Sequence, residues 1–308
     1  MCTRRLTCET QSVEPPELIL AKMIEEARII NQQRISGQIF RLRLHSPGIA
    51  GAARCGQFVM IRIREGTDPL LRRPFSFSRI YPEDGDFEIL YRVIGRGTWL
   101  MSQLEPGSTS SLIGPLGNGF ELPIDRTVPL AFIAGGMGIA PLLELIAEVI
   151  SDRGAKGAEK LRLFYGARTA SELLPEDFLT GPGIRVHFAT DDGSSGYKGH
   201  ITQMFEEFMA EGDFRPFELY SCGPLAMQYH MASWALSNDT LAQLSMESLM
   251  ACGIGACLGC ALPAATPDDP ESERFVHVCE DGPIFSAGSI KWNKILVQQM
   301  PPPTWLFS

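Results

Sequence analysis

Long apolar runs, basic clusters and internal repeats are all missing from this sequence. No stretch approaches the ~18 apolar residues that span a bilayer, so no membrane helix is expected. Lys and Arg number 27 against 36 Asp and Glu, a formal charge of −9. An acidic chain without basic runs is a poor nucleic-acid binder, because phosphate neutralisation dominates that affinity. Anionic membrane surfaces would repel it as well. The opening MCTRRLTCETQSVEPPE has two arginines but no apolar core behind them, and reads as a loosely ordered tail (1–16) rather than a signal peptide. Cys2 and Cys8 in that tail are read as incidental thiols. A cytoplasmic location is expected, and there the eight cysteines would not be structural disulfides.

What is present is a chain of 308 residues, 44% hydrophobic, enough for about two domains and an appendage. Residues 17–123 read as short strands. IFRLRLHSPG alternates, with Phe40, Leu42 and Leu44 on one face and Arg41 and Arg43 on the other. GQFVMIRIRE, RRPFSFSRIY, DFEILYRVIG and SSLIGPLGNG follow with Gly and Pro between them, suggesting an antiparallel barrel. One short helix is expected after Gly97, over TWLMSQL. From about 124 to 243 apolar strands ending in turn residues (LAFIAGG, KLRLFYGAR, IRVHFATDDG, FELYSCGP) alternate with helical segments, the pattern of a parallel, doubly wound sheet. LAQLSMESL reads as a last strand leading out. Residues 244–308 are short and rich in Cys and Gly.

Four cysteines stand apart by spacing. Cys252, Cys257 and Cys260 form C-x4-C-x2-C, and Cys279 follows after an acidic, proline-containing gap of eighteen residues. This is the plant-type [2Fe–2S] ligand pattern: three thiolates from one tight loop, the fourth from elsewhere. Gly253, Gly255 and Gly259 let the backbone wrap and aim N–H groups at sulfur. A structural zinc site would normally show two C-x2-C pairs, and only Cys257 and Cys260 make one.

IAGGMGIAP follows a predicted strand and opens a helix. Gly135, Gly136 and Gly138 allow a sharp turn and the close approach of a pyrophosphate to the helix N-terminus. Pro141 replaces the third glycine of G-x-G-x-x-G, and the usual acidic residue ~20 positions on is missing from its place. Taken alone, such a loop also fits any glycine turn of an α/β protein. SCGP (221–224) ends a strand at the carboxyl edge of the sheet, where ligands bind. There Cys222 is either a packed thiol or a neighbour of the nicotinamide. Asp191 and Asp192 either accept from ribose hydroxyls or form a solvated turn. His187, His200, His230 and His277 have no metal spacing. In the barrel, Arg73 suits a phosphate and Ser76 is a compact hydrogen-bonding group, while Gly95, Gly97 and Thr98 open the short helix as a second pyrophosphate cradle.

In this order the pieces resemble the ferredoxin reductase superfamily: Arg-Pro-x-Ser (Arg73 to Ser76), Gly-x-Gly-Thr, Gly-Gly-x-Gly and Cys-Gly-Pro. The C-terminal ACGIGACLGC and VCEDGPIF are similar to one branch, the electron-transfer subunits of type B dihydroorotate dehydrogenase. The resemblance covers nearly all of the chain after the tail. It implies a multi-domain fold: an antiparallel β-barrel for FAD (17–123), an α/β Rossmann-like domain for NAD (124–243) and a small [2Fe–2S] domain (244–308). It also implies site residues. Arg73, Pro74, Phe75 and Ser76 would lie along FAD, with Tyr91, Arg92, Val93, Gly97 and Thr98 completing its site. Gly135, Gly136, Gly138, Asp191, Cys222, Gly223 and Pro224 would serve NAD(H), an exchangeable substrate. Many superfamily members have tyrosine where Phe75 stands, so that hydroxyl contact does not carry over.

The resemblance further implies a partner, an FMN-containing dihydroorotate dehydrogenase subunit, assembled as a heterotetramer of two of each chain in pyrimidine biosynthesis. No part of this chain offers a site for dihydroorotate itself. NAD is expected over NADP because Asp191 and Asp192 oppose a 2′-phosphate, although Arg168 in YGAR could take one. Two rival readings remain at this point. One is a subunit of a ferredoxin:NAD(P) oxidoreductase or sulfite reductase on the same chassis. The other, from a different class, is a zinc-stabilised nucleotide-binding regulatory module.

Overall fold

The computed structural model describes residues 22–179, 183–266 and 272–299. The expected tail, with Cys2 and Cys8, lies outside them. Strands β1 (Met23–Ser36), β2 (Ile39–His45), β3 (Phe58–Ile61), β4 (Arg73–Tyr81), β5 (Asp86–Arg92) and β6 (Thr109–Leu116) close into a barrel in the order β1-β2-β5-β4-β3-β6. Every pairing is antiparallel. The alternation of β2 sends Leu42 and Leu44 into the barrel core and leaves Arg41 and Arg43 at its surface. Phe77 and Phe87 fill the centre edge to face, 5.0 Å apart.

Two short helices border the barrel: α1 (Pro47–Ala52) and α2 (Arg96–Met101). The second is the one expected after Gly97. The first was not expected, because Pro-Gly reads as a turn. Here Pro47 occupies the first helical turn, where its missing N–H is harmless, and Ile49 and Ala50 are buried.

The second layer is a sheet of β7 (Leu130–Gly135), β8 (Leu161–Ala167), β9 (Arg185–Thr190), β10 (Tyr197–Lys198), β11 (Glu218–Cys222) and β12 (Leu241–Ser245), parallel in the order β10-β9-β8-β7-β11-β12. Helices α3 (Ile139–Ala158) and α4 (Glu176–Leu179), then α5 (Ile201–Glu211) and α6 (Leu225–Ser237), connect the strands. The continuous apolar run of β7 follows from burial on both faces. Leu130, Phe132 and Ala134 pack with α3 residues, while Ala131 and Ile133 pack with the α5 and α6 side.

The cysteine-rich segment adds β13 (Ala261–Pro263), β14 (Phe275–His277), β15 (Ile284–Ser286) and α7 (Trp292–Gln299). It does not stand free. β15 pairs antiparallel with β12 and extends the sheet to seven strands. Trp292, Ile290 and Ile295 share a core with α6. The barrel is tied down too: the Ile80 N–H donates to Glu144 Oε2 at 3.0 Å, and Asn118 Nδ2 donates to the Asp281 carbonyl at 2.9 Å. A crevice between barrel and sheet is left along the carboxyl edge of the strands.

Candidate functional site

The glycine loop shows how sequence makes this crevice. Strand β7 ends at Gly135, one turn of 3-10 helix covers Gly136–Gly138, and α3 starts at Ile139 with Pro141 in its first turn. Gly138 has no space for a side chain: a Cβ there would stand 2.1 Å from the Cys222 carbonyl oxygen. The GGMG loop and the SCGP turn therefore touch backbone to backbone, as expected from Ala134 pairing with Cys222.

Over these turns lies a cavity of about 680 Å³. Gly135, Gly136, Gly138, Gly223 and Pro224 form one wall, and Arg168, Glu172, Asp191 and His200 form another. Asp191 accepts from His200 Nδ1 at 3.0 Å. Asp192 instead accepts from the Ser194 N–H at 2.9 Å and the Ser194 hydroxyl, the turn role weighed for this pair. Glu172 binds Arg168 in a two-pronged pair and takes Arg92 Nη1 at 3.2 Å. The hydrogen bond from Arg168 holds the Glu172 carboxyl below its ordinary range, with Arg92 adding to the effect.

A second cavity, about 360 Å³, opens between the barrel and the sheet. Phe58, Pro74, Phe75, Ser76, Tyr91 and Thr98 line its barrel side, and Cys222, Met246 and Met250 its other side. Arg92, Met137 and Glu247 line both cavities, so the two adjoin. Tyr91 stacks on Phe40 at 5.6 Å and donates from its hydroxyl to Gln32 Oε1 at 2.9 Å. Phe75 meets the same ring edge-on at 5.9 Å. Thr98 Oγ1 donates to the Gly95 carbonyl and accepts from the N–H groups of Ile94 and Gly95, pinning the start of α2.

Three expected residues stand behind this wall rather than in it. Arg73 turns back to the Leu71 carbonyl at 2.7 Å and lies against Gly97. Val93 packs on the barrel core, its N–H donating to Gln38.

Cys222 is fully covered, and burial pushes its thiol well up, with the charge of Glu247 adding to this. It is therefore a neutral neighbour of whatever fills the second cavity. Glu247 faces the crevice, where solvent still reaches it, yet the surrounding walls desolvate its carboxyl and raise it.

Beyond Met250 comes the cysteine loop. Cys260 directly precedes β13 and Cys279 follows β14 by one residue, so this antiparallel pair brings the two sulfurs to 3.3 Å. Of the stretch between them, which the sequence alone did not place, β13 and β14 form this antiparallel pair, and residues 267–271 lie outside the described ones. Gly255 has φ +81°, in the left-handed region that glycine adopts freely and other residues rarely do. Its N–H donates to Cys279 Sγ at 3.3 Å, while Ile254 and Cys257 N–H groups donate to Cys252 Sγ at 3.5 and 3.4 Å. Partial burial opposes ionisation of Cys252, but these N–H groups outweigh it and bring the thiol down to about 7. Burial and the adjoining Cys260 push Cys279 up to about 12.

The sulfurs fall into two pairs, Cys260 with Cys279 and Cys252 beside Cys257. Among the described residues, no three His, Cys, Asp or Glu side chains gather round one ion-sized point. Two thiolates per iron with N–H groups aimed at sulfur fit a two-iron cluster, whereas a zinc ion needs four ligands about a single centre. Cys260 and Cys279 are buried, while Cys257 is exposed, as is its neighbour in the chain, Leu258.

Sequence reasoning had singled out Arg168 but missed Glu172, His200 and Glu247. The only local sign was the four-residue spacing of Arg168 and Glu172, which suits an ion pair.

Two family models match: the iron-sulfur cluster binding domain of dihydroorotate dehydrogenase B over residues 247–291, and the oxidoreductase NAD-binding domain over 132–233. The chain is 33% identical over 269 residues to the dihydroorotate dehydrogenase B (NAD(+)) electron transfer subunit of Desulforamulus reducens, covering 87% of this chain and 98% of that one. It is 36% identical over 270 residues to the corresponding subunit of Geobacillus kaustophilus, covering 86% and 98%. Among solved structures, a chain of an NADH-dependent reduced ferredoxin-NADP oxidoreductase superposes with TM-score 0.74 at 27% identity over 91% of this chain and 95% of that one. A ferredoxin NADP+ reductase from Neisseria gonorrhoeae shares the fold at TM-score 0.58 and 20% identity, over 70% and 91%. This chain, an NAD-linked oxidoreductase on the ferredoxin reductase fold, belongs to the family of dihydroorotate dehydrogenase B (NAD(+)) electron transfer subunits.

Proposed function

We propose that this chain passes electrons between NAD(H) and the catalytic subunit of a dihydroorotate dehydrogenase, in pyrimidine biosynthesis. The observation that carries the reading is contiguity. The glycine-loop cavity shares Arg92, Met137 and Glu247 with the barrel cavity, and Met250 of the barrel cavity stands two residues before Cys252. At the far end of this line, Cys257 is exposed.

In this reading NAD(H) takes the larger cavity and FAD the barrel cavity, and the four cysteines hold a [2Fe–2S] cluster. When bound, the flavin supplies exchange of a hydride with nicotinamide and of single electrons with the cluster. The chain's own residues position and insulate. Gly135, Gly136, Gly138, Gly223 and Pro224 let the nucleotide approach the backbone, and Asp191 accepts from a ribose hydroxyl. Pro74, Phe75, Ser76, Tyr91 and Thr98 wall the flavin. Arg73, Val93 and Gly97 set the shape of that wall from behind. Cys222 fills the base of the junction without charge, and Met137 and Met250 exclude water from it. Glu247, on the wall common to both cavities, would offer a carboxylate to a nicotinamide ring bound at their junction and so favour its cationic, oxidised form.

The partner in this reading carries FMN and the substrate, two copies of each chain assemble, and the complex works in the cytoplasm. The exposed Leu258 next to the exposed Cys257 supports a docking face at the cluster end. The test is purification with the partner, followed by metal analysis and a visible spectrum before and after NADH. Two irons per chain and bleaching of flavin and cluster absorbance are expected. A colourless protein holding zinc would overturn the reading.

A further inference from the structure

The ribose end of the larger cavity carries two guanidiniums and one carboxylate that both of them share. Arg168 follows β8 directly, at the carboxyl edge of the second strand of the nucleotide-binding unit. In doubly wound sheets this is where an acidic group holds the adenosine ribose 2′-hydroxyl, or an arginine takes a 2′-phosphate. Here Arg168 is already engaged: its Nε donates to Glu172 Oε2 at 3.2 Å and its Nη2 to Oε1. Arg92 reaches the same Oε2 from the barrel side at 3.2 Å. Asp191, paired with His200, faces the same cavity.

We propose that Glu172 is the residue that selects NAD(H) over NADP(H), by holding Arg168 in a two-pronged pair and so denying a guanidinium to the 2′-phosphate. The inference rests on the reading of this cavity as the nicotinamide-nucleotide site. A 2′-phosphate brings roughly −1.5 to −2 charges and seeks a bidentate arginine. To take the Nε/Nη2 edge of Arg168 bidentately it would have to displace Glu172 and then lie beside a freed carboxylate, with Asp191 close by. That repulsion is a specificity element directed against NADP(H). A free 2′-hydroxyl meets no such obstacle, because Glu172 can accept from it while keeping Arg168. The cavity thus contains an arginine suited to NADP(H), but with its bidentate Nε/Nη2 edge already taken by Glu172.

The test uses the cofactor-loaded protein and 2′,5′-ADP, which carries the 2′-phosphate without a nicotinamide, with ADP as the reference. By calorimetry the affinity for 2′,5′-ADP relative to that for ADP is expected to rise at least about tenfold in Glu172→Gln over the original chain. Arg168→Ala added to Glu172→Gln should erase the gain. The ratio of flavin reduction rates with NADPH and NADH should move in the same sense. An unchanged 2′,5′-ADP affinity relative to ADP in Glu172→Gln, or a gain that survives loss of Arg168, would overturn the proposal while NADH reactivity left the cavity reading intact. An original chain that binds neither ADP nor NADH would overturn both.

Discussion

The cysteine loop and the glycine-loop cavity are built in opposite ways. Three of the four proposed cluster ligands fall within nine consecutive residues, 252 to 260, and backbone N–H groups of this loop point at the sulfurs of Cys252 and Cys279. The cavity draws its walls from residues as far apart as Arg92, at the end of a barrel strand, and Glu247, just beyond the end of a sheet strand. Damage to the loop should therefore be local and severe, whereas the cavity should degrade one contact at a time.

The largest effect is expected from Cys260→Ser. The residue is buried and accepts from the Cys279 N–H, so in the proposed cluster site its loss would remove a ligand no neighbour can replace. Iron content and cluster absorbance should vanish, while NADH still reduces the flavin; retention of two irons would break the contrast. Gly138→Ala comes next and tests the densest point of the cavity. Its Cβ would overlap the Cys222 carbonyl, so the two loops must part, at about 1–3 kcal/mol of stability, with weaker NADH binding read from thermal melts and flavin reduction.

Glu247→Gln should act on rate rather than folding. Losing the negative charge at the shared wall should slow flavin reduction by NADH about tenfold. The pH dependence follows from the raised carboxyl. The ionised form is the helpful one and persists only above a pKa higher than an ordinary glutamate's, so the rate should fall on acidification sooner than usual. The variant should lack this acid limb, seen in stopped-flow traces across pH. The smallest effects separate two neighbours. Asp191→Asn should weaken NADH binding about threefold, whereas Asp192→Asn, which alters only the turn at Ser194, should leave it unchanged.

The same contrast explains what the sequence made legible. Cys252, Cys257, Cys260 and Cys279 could be read because ligand spacing is local, and LAFIAGG because burial on both faces leaves an unbroken apolar strand. Phe75, Ser76 and Thr98 became legible through resemblance, and the barrel side of the second cavity contains them. Glu172, His200 and Glu247 could not be found, since each acts from the end of a different connection and its neighbours are set by strand order. β15 was hidden for a related reason: three residues joining the far edge of a sheet carry too short a pattern to reveal their partner. Asp191 and Asp192 look equivalent in sequence, and only the turn at Ser194 separates their roles.

The central claim is that Cys252, Cys257, Cys260 and Cys279 form the exit of an electron path, not a structural clasp. It is tested most directly by comparing two rates in Cys257→Ser assembled with the catalytic partner. The exposed position of Cys257 makes this the substitution least able to disturb the fold. Flavin reduction by NADH should stay near the original rate while onward reduction of the partner collapses. Onward transfer at the original rate, with the cluster absent, would contradict the account.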